Sequence, residues 1–142
     1  MEKITVEEDS SKAVVKIKEA NGPVVVEFFG HSCNNGSVFD YMVISNALEN
    51  CPHHTTAVAK DCVSLVPLTT ADKIIIDEGA FVYIRPIIFY GDDIKKDKDI
   101  LSKLTEWIRE SYSKWPAAQK MLDDGEDHFI SGEEAVEFGI VG

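Results

Sequence analysis

The sequence predicts an α/β fold of stacked βαβ units that carries one long helix. Val24-Val25-Val26 with Phe28-Phe29 is a near-continuous apolar run, as expected of a strand buried on both faces. A polar turn from Gly30 to Gly36 (GHSCNNG) and an amphipathic helix follow it. The same grammar then returns. A strand at Thr55–Ala59 breaks at the tight polar turn Lys60-Asp61-Cys62, and a short helix begins near Ser64. Strand, turn and helix repeated in this way indicate right-handed units and a largely parallel sheet.

Each element has a local reason. Thr5-Val6-Glu7-Glu8 has capping-box spacing and predicts a helix with Ala13, Val14, Ile17 and Ala20 turned inward. Asn21-Gly22-Pro23 ends that helix. The next is capped by Ser37, with Asp40 three residues on, and presents Val38, Tyr41, Ile44 and Leu48 to the core; Cys51-Pro52 closes it. Strands are expected at Lys73–Ile76 and Ala80–Ile84, joined by a turn at Asp77-Glu78-Gly79. Beyond Tyr90-Gly91, Asp92 or Asp93 caps a long amphipathic helix to about Lys114. Its apolar face carries Ile94, Leu101, Leu104, Ile108 and Trp115. Pro116 interrupts it, and a short segment, Ala117–Leu122, follows. Asp123 to His128 reads as a solvated acidic loop. Ser131-Gly132-Glu133-Glu134 is a second capping box, opening a short helix that ends at Gly139.

Composition narrows the partners. The 142 residues make one domain, with 44% hydrophobic and 27% charged residues, as in ordinary soluble proteins. A net charge of −11 opposes binding to nucleic acid or anionic membranes. No apolar run is long enough to span a bilayer, and the N-terminus lacks the apolar core of a secretion signal. Three cysteines, Cys33, Cys51 and Cys62, form no CxxC pair. Neither a disulfide framework nor a zinc site is expected, and a reducing cytoplasm is the simple reading. No metal or other cofactor is implied. His53 and His54 are adjacent, so their side chains point apart and lack a third ligand, and the acidic loop lacks calcium-loop spacing.

A strand that breaks into a helix aims free backbone N–H groups outward, which is where a nucleophile would sit. Cys62 and Ser64 compete for that place. With Ser64 as N-cap, Pro67 falls in the first turn, where its missing N–H costs nothing. With Cys62 as cap, Pro67 would sit deeper, so Ser64 is the better helix start.

Taken together, these residues resemble the ClpP family, the proteolytic subunit of the Clp protease, and more broadly the ClpP/crotonase superfamily with its phage-type members. The resemblance runs from about Ile4 to Gly142. It rests on Asn35-Gly36-Ser37-Val38, on Ala71-Asp72-Lys73 with Gly79-Ala80, and on the tail FISGEEAVEFGIVG, Phe129–Gly142. In that family a Ser–His–Asp triad performs acyl transfer, with backbone N–H groups holding the oxyanion. The resemblance places the serine on Ser64, or on Cys62 if aligned backward from Ala71-Asp72-Lys73. It places the aspartate on Asp123 and the oxyanion turn on Asn35-Gly36.

The base is the main departure. Where the family has Ile-His-Gln-Pro, this chain has Ile84-Arg85-Pro86, and a guanidinium cannot accept a proton at any working pH. The small approach to the nucleophile has become Lys60-Asp61-Cys62-Val63-Ser64, and the turn has Asn34-Asn35 in place of Pro-Gly. The resemblance with these departures implies a pseudo-enzyme that keeps the fold without the chemistry, with an Arg85–Asp123 salt bridge filling the site. A rearranged peptidase using Ser64 or Cys62 with His31 is the alternative. A third reading is a crotonase-like acyl-CoA binder, disfavoured because an acidic surface lacks the basic cluster a CoA phosphate needs. In the family the long helix is a protruding handle that carries contacts between rings. A homo-oligomer is therefore expected, alone or with other ClpP-type subunits, with Asp93–Lys114 at an interface and Trp107 or Trp115 losing surface. The chain is expected to begin almost at its first helix, which argues against unfoldase docking through a preceding segment.

Overall fold

The computed structural model describes residues 1–33, 37–87 and 94–141. Its strands are β1 (Glu2–Thr5), β2 (Val24–Phe28), β3 (Thr55–Ala59), β4 (Cys62–Ser64), β5 (Lys73–Ile76), β6 (Phe81–Ile84) and β7 (His128–Ser131). Its helices are α1 (Ser11–Glu19), α2 (Val38–Glu49), α3 (Ile94–Ser111), α4 (Pro116–Asp123) and α5 (Gly132–Glu137), with one 3-10 turn at Val66–Leu68. The first sheet is all parallel, in the order β1-β2-β3-β5. The second has the order β4-β6-β7, with β4 parallel and β7 antiparallel to β6.

The apolar runs become the inner strands for the expected reason. Every residue of β3 is buried, and β2 is buried except at Val25. Such strands have no face for water, so their backbone groups must pair on both sides, as they do with β1, β2 and β5. Ala13, Val14 and Ile17 of α1 are buried, as are Tyr41, Ile44 and Leu48 of α2. Val38 is half-buried.

Three local expectations are corrected. Thr5 does not cap a helix; it ends β1, and α1 begins only at Ser11, whose N–H donates to Asp9 Oδ1 at 2.9 Å. Ile4 and Val6 are both fully buried, a period of two that belongs to a strand. Pairing with β2 outweighs the local capping signal. The helix expected at Ser64 is instead a strand end followed by one 3-10 turn, because the residues from Cys62 pair with β6. Pro67 does lie in the first turn of that short element, as its missing N–H requires. The acidic loop stops early, and His128–Ser131 forms β7 against β6.

The second capping box forms in full. Ser131 Oγ accepts from Glu134 N at 3.3 Å, and Glu134 Oε1 accepts from Ser131 N at 3.2 Å. In α3, Leu104 and Ile108 are buried and Leu101 is half-buried, while Ile100 is 46% exposed. Tyr112 and Trp115, just beyond the helix, are buried too. The expected cap at Asp92 or Asp93 lies outside the described residues. No helix among the described residues is long and apolar enough to cross a membrane.

The strand and cap readings of the N-terminus predict different mutants. Ile4→Ala should cost about 2–5 kcal/mol by opening a cavity, whereas Thr5→Ala, at an exposed position, should stay within about 0.5 kcal/mol. Denaturant unfolding checks both. A larger loss at Thr5 than at Ile4 would restore the cap.

Candidate functional site

The chain passes from the first sheet to the second through Lys60-Asp61, and this crossover positions Ser64. Lys60 and Asp61 are not paired with each other. Lys60 Nζ lies 2.6 Å from Asp77 Oδ2 and 3.4 Å from Glu27 Oε2, and Lys3 Nζ is 3.6 Å from the same Glu27 oxygen. Hydrogen bonding to Asp77 leads in raising the lysine's pKa. Asp61 Oδ1 accepts from Gly30 N at 2.6 Å. Gly30 lies so close to β4 that a Cβ there would stand 3.2 Å from the Cys62 carbonyl, which accounts for a residue without one.

Ser64 is buried, at 5% exposure. Its Oγ accepts from Val66 N at 3.3 Å and lies close to the Tyr41 side chain. The Tyr41 hydroxyl meets the Tyr83 hydroxyl at 3.3 Å, and Tyr83 is the register partner of Ser64 across β4 and β6. The serine thus lies beside a pair of phenol hydroxyls. Burial raises the Tyr41 pKa, with the nearby Tyr83 adding to it, and burial raises that of Tyr112 as well. These phenols stay protonated, and Tyr41 is hydrogen-bonded to Tyr83.

Arg85 follows β6. Its guanidinium carbon lies 4.4 Å from the Tyr83 ring centroid and 5.9 Å from that of Phe129. Tyr83 and Phe129 are register partners across β6 and β7, with centroids 6.3 Å apart. The ion partner of Arg85 is Asp127, at 3.8 Å from Nε.

The expected Arg85–Asp123 bridge is absent among the described residues. Asp123 instead receives Arg109 in a two-pronged contact, Nε at 3.2 and 3.3 Å and Nη2 at 3.2 Å. Topology explains the exchange. Asp123 ends α4 within reach of Arg109 on α3, while the β6–β7 ladder brings Ile84 opposite His128 and so sets Arg85 near Asp127. His128 Nε2 meets Asp124 Oδ2 at 2.6 Å.

His31 is exposed and stacks on Phe29, with centroids 5.5 Å apart. Cys62 is exposed and Cys33 is buried. Burial, with Asp40 adding to it, pushes the Cys33 thiol up to about 12. Asn35 and Gly36 lie outside the described residues. No cluster of three or more metal-binding side chains is found among the described residues. Sequence reasoning placed Tyr41 in the core stripe and passed over Tyr83, Phe129 and Asp127. The Phe81-x-Tyr83-x-Arg85 alternation on one strand face was the available signal.

No protein-family model matches the chain, and no curated protein matches it in sequence. Among solved structures, a ClpP1 mutant from Listeria monocytogenes is similar over 98% of this chain and 88% of that one, with a TM-score of 0.76. The fold is ClpP-like. Identity to that protein is 14%, so the likeness concerns backbone architecture alone. Within the ClpP-like frame, β4, β6 and β7 carry the Ser64, Tyr83 and Phe129 constellation.

The thiols should separate by reactivity. In the native protein at about pH 8, iodoacetamide should modify Cys62 and spare Cys33, since burial keeps the latter protonated. Peptide mapping reads the result, and equal modification of the two would contradict the burial of Cys33.

Proposed function

We propose that this protein is a ClpP-like subunit that has lost peptidase chemistry and acts through self-association. The observation that carries the reading is the surroundings of Ser64. Its hydroxyl accepts from the Val66 N–H and lies beside the protonated Tyr41 phenol, while the position that the resemblance gives to the general base holds Arg85. Neither a neutral tyrosine nor a guanidinium takes a proton from serine at neutral pH. On this reading Ser64 marks the old nucleophile position, Asp123 the old orienting position, and Asn35-Gly36 the old oxyanion turn. Cys62 is the other nucleophile candidate, exposed on β4. A cytoplasmic location belongs to the same proposal.

The protein should neither hydrolyse short fluorogenic peptides nor label with a fluorophosphonate. Labelling abolished by Ser64→Ala would overturn the inactive reading. Thiol-dependent hydrolysis abolished by Cys62→Ala would establish the backward alignment.

Self-association is supported by the pattern on α3. Its core-facing stripe is satisfied, yet Ile100 is exposed, and Leu101 and Trp107 are half-buried. A helix apolar beyond its own core finds a use for the excess in a second copy. Trp115 is only 5% exposed, so Trp107 is the indole with surface left to lose. At about 10 µM, light scattering should report an oligomer, and Ile100→Glu should shift it toward monomer. A wild-type monomer at that concentration would count against the interface.

A further inference from the structure

We propose that Arg85, held on the rings of Tyr83 and Phe129, makes the former catalytic region a binding site for a carboxylate. The proposal rests on the reading that Arg85 stands in place of a base. The guanidinium carbon sits 4.4 Å from one ring centroid and 5.9 Å from the other. Aromatic contact engages the face of a guanidinium, and its N–H donors lie in its plane and stay available. Among the described residues those donors make no hydrogen bond; the one ion pair, to Asp127, is long at 3.8 Å. The side chain is 45% exposed, so a ligand can reach it from solvent.

The neighbours indicate what that ligand would look like. The Tyr83 ring under the guanidinium ends in the hydroxyl that meets Tyr41, and Tyr83 is the register partner of Ser64 across β4 and β6. A neutral amide has little to offer a guanidinium, whereas a carboxylate matches its fork with two parallel hydrogen bonds. Phe81 and Phe129, 41% and 51% exposed, offer apolar surface for a side chain beside that carboxylate. The matching chemistry is a carboxylate with an adjacent apolar group. Its source is either the C-terminus of a peptide or a small free acid.

The chain has two arginines, Arg85 and Arg109, so an arginine Nε–H NMR spectrum carries its own control. Arg109 is already clamped by Asp123. N-acetyl-alanyl-phenylalanine, its C-terminal amide and acetate are titrated in turn to about 10 mM. The free dipeptide acid should shift the Arg85 signal saturably and leave Arg109 in place, and the amide should shift neither. Arg85→Lys, which removes one signal and assigns the other, should weaken binding of the acid about tenfold by isothermal calorimetry, because an ammonium lacks the fork. Asp127→Asn should retain or tighten binding by removing a competing carboxylate.

Tighter binding of the dipeptide acid than of acetate supports the site and assigns a peptide terminus. Equal binding supports it and assigns a small acid. No saturable shift, an equal response to the amide, or loss of binding in Asp127→Asn overturns the proposal. Binding is read without turnover, so failures separate. Fluorophosphonate labelling of Ser64 with carboxylate binding intact would remove the inactive reading and leave this site standing. Absent labelling with absent binding would do the reverse.

Discussion

The passage from the first sheet to the second, between Ala59 and Cys62, is the constraint on which the rest depends. Ala59 is fully buried and ends β3; three residues later Cys62 begins β4 in another sheet. So short a crossover leaves little freedom: Lys60 N donates to the Phe28 carbonyl at 2.9 Å and Phe81 N to the Asp61 carbonyl at 3.0 Å, and charged side chains add to these bonds. Lys60 is tied to Asp77 and Glu27, and Asp61 is tied to the Gly30 amide. The Lys3–Glu27–Lys60–Asp77 chain joins β1, β2 and the ends of β3 and β5 through alternating charges. Pairs still partly open to solvent contribute modestly to stability; here Glu27 is buried, Lys60 and Asp77 are half-buried and Lys3 is exposed. Their larger effect here is directional, because they orient the chain that delivers Ser64 to its partner Tyr83.

Once Ser64 is delivered, the chemistry around it follows from what β6 and α2 present. Both contribute tyrosines, and burial holds Tyr41 in its neutral form. The Tyr41 and Tyr83 hydroxyls meet at 3.3 Å, and Ser64 Oγ accepts from the Val66 amide. Arg85 adds positive charge to the same strand face, where aromatic rings rather than carboxylates set its position. A guanidinium alters what this strand face attracts, and it accepts no proton.

The C-terminal third acts as a brace. Leu104, Ile108, Tyr112 and Trp115 bury one side of the α3 segment, and Arg109 reaches from it to Asp123 at the end of α4. That clamp consumes the aspartate that the resemblance assigns to catalysis. It also explains why Arg85 turns to Asp127: the β6–β7 ladder, rather than α4, supplies its nearest carboxylate.

The sequence by itself determined the α/β class, the strands at Val24–Phe28, Thr55–Ala59 and Lys73–Ile76, the inward stripes of α1 and α2, and the Ser131–Glu134 capping box. These rest on periodicity, burial and caps, which neighbouring residues encode. The proposal that Arg85 replaces a base also starts from residue type, which by itself excludes proton acceptance. Tertiary structure decided β1 over a helix cap, β4 and β7 over a helix start and a loop, and Arg109 over Arg85 as the partner of Asp123. Each of these depends on pairing between segments far apart in the chain. Residue spacing sets which groups share a face, but only the register between strands and the docking of α3 on α4 bring charges within reach of one another.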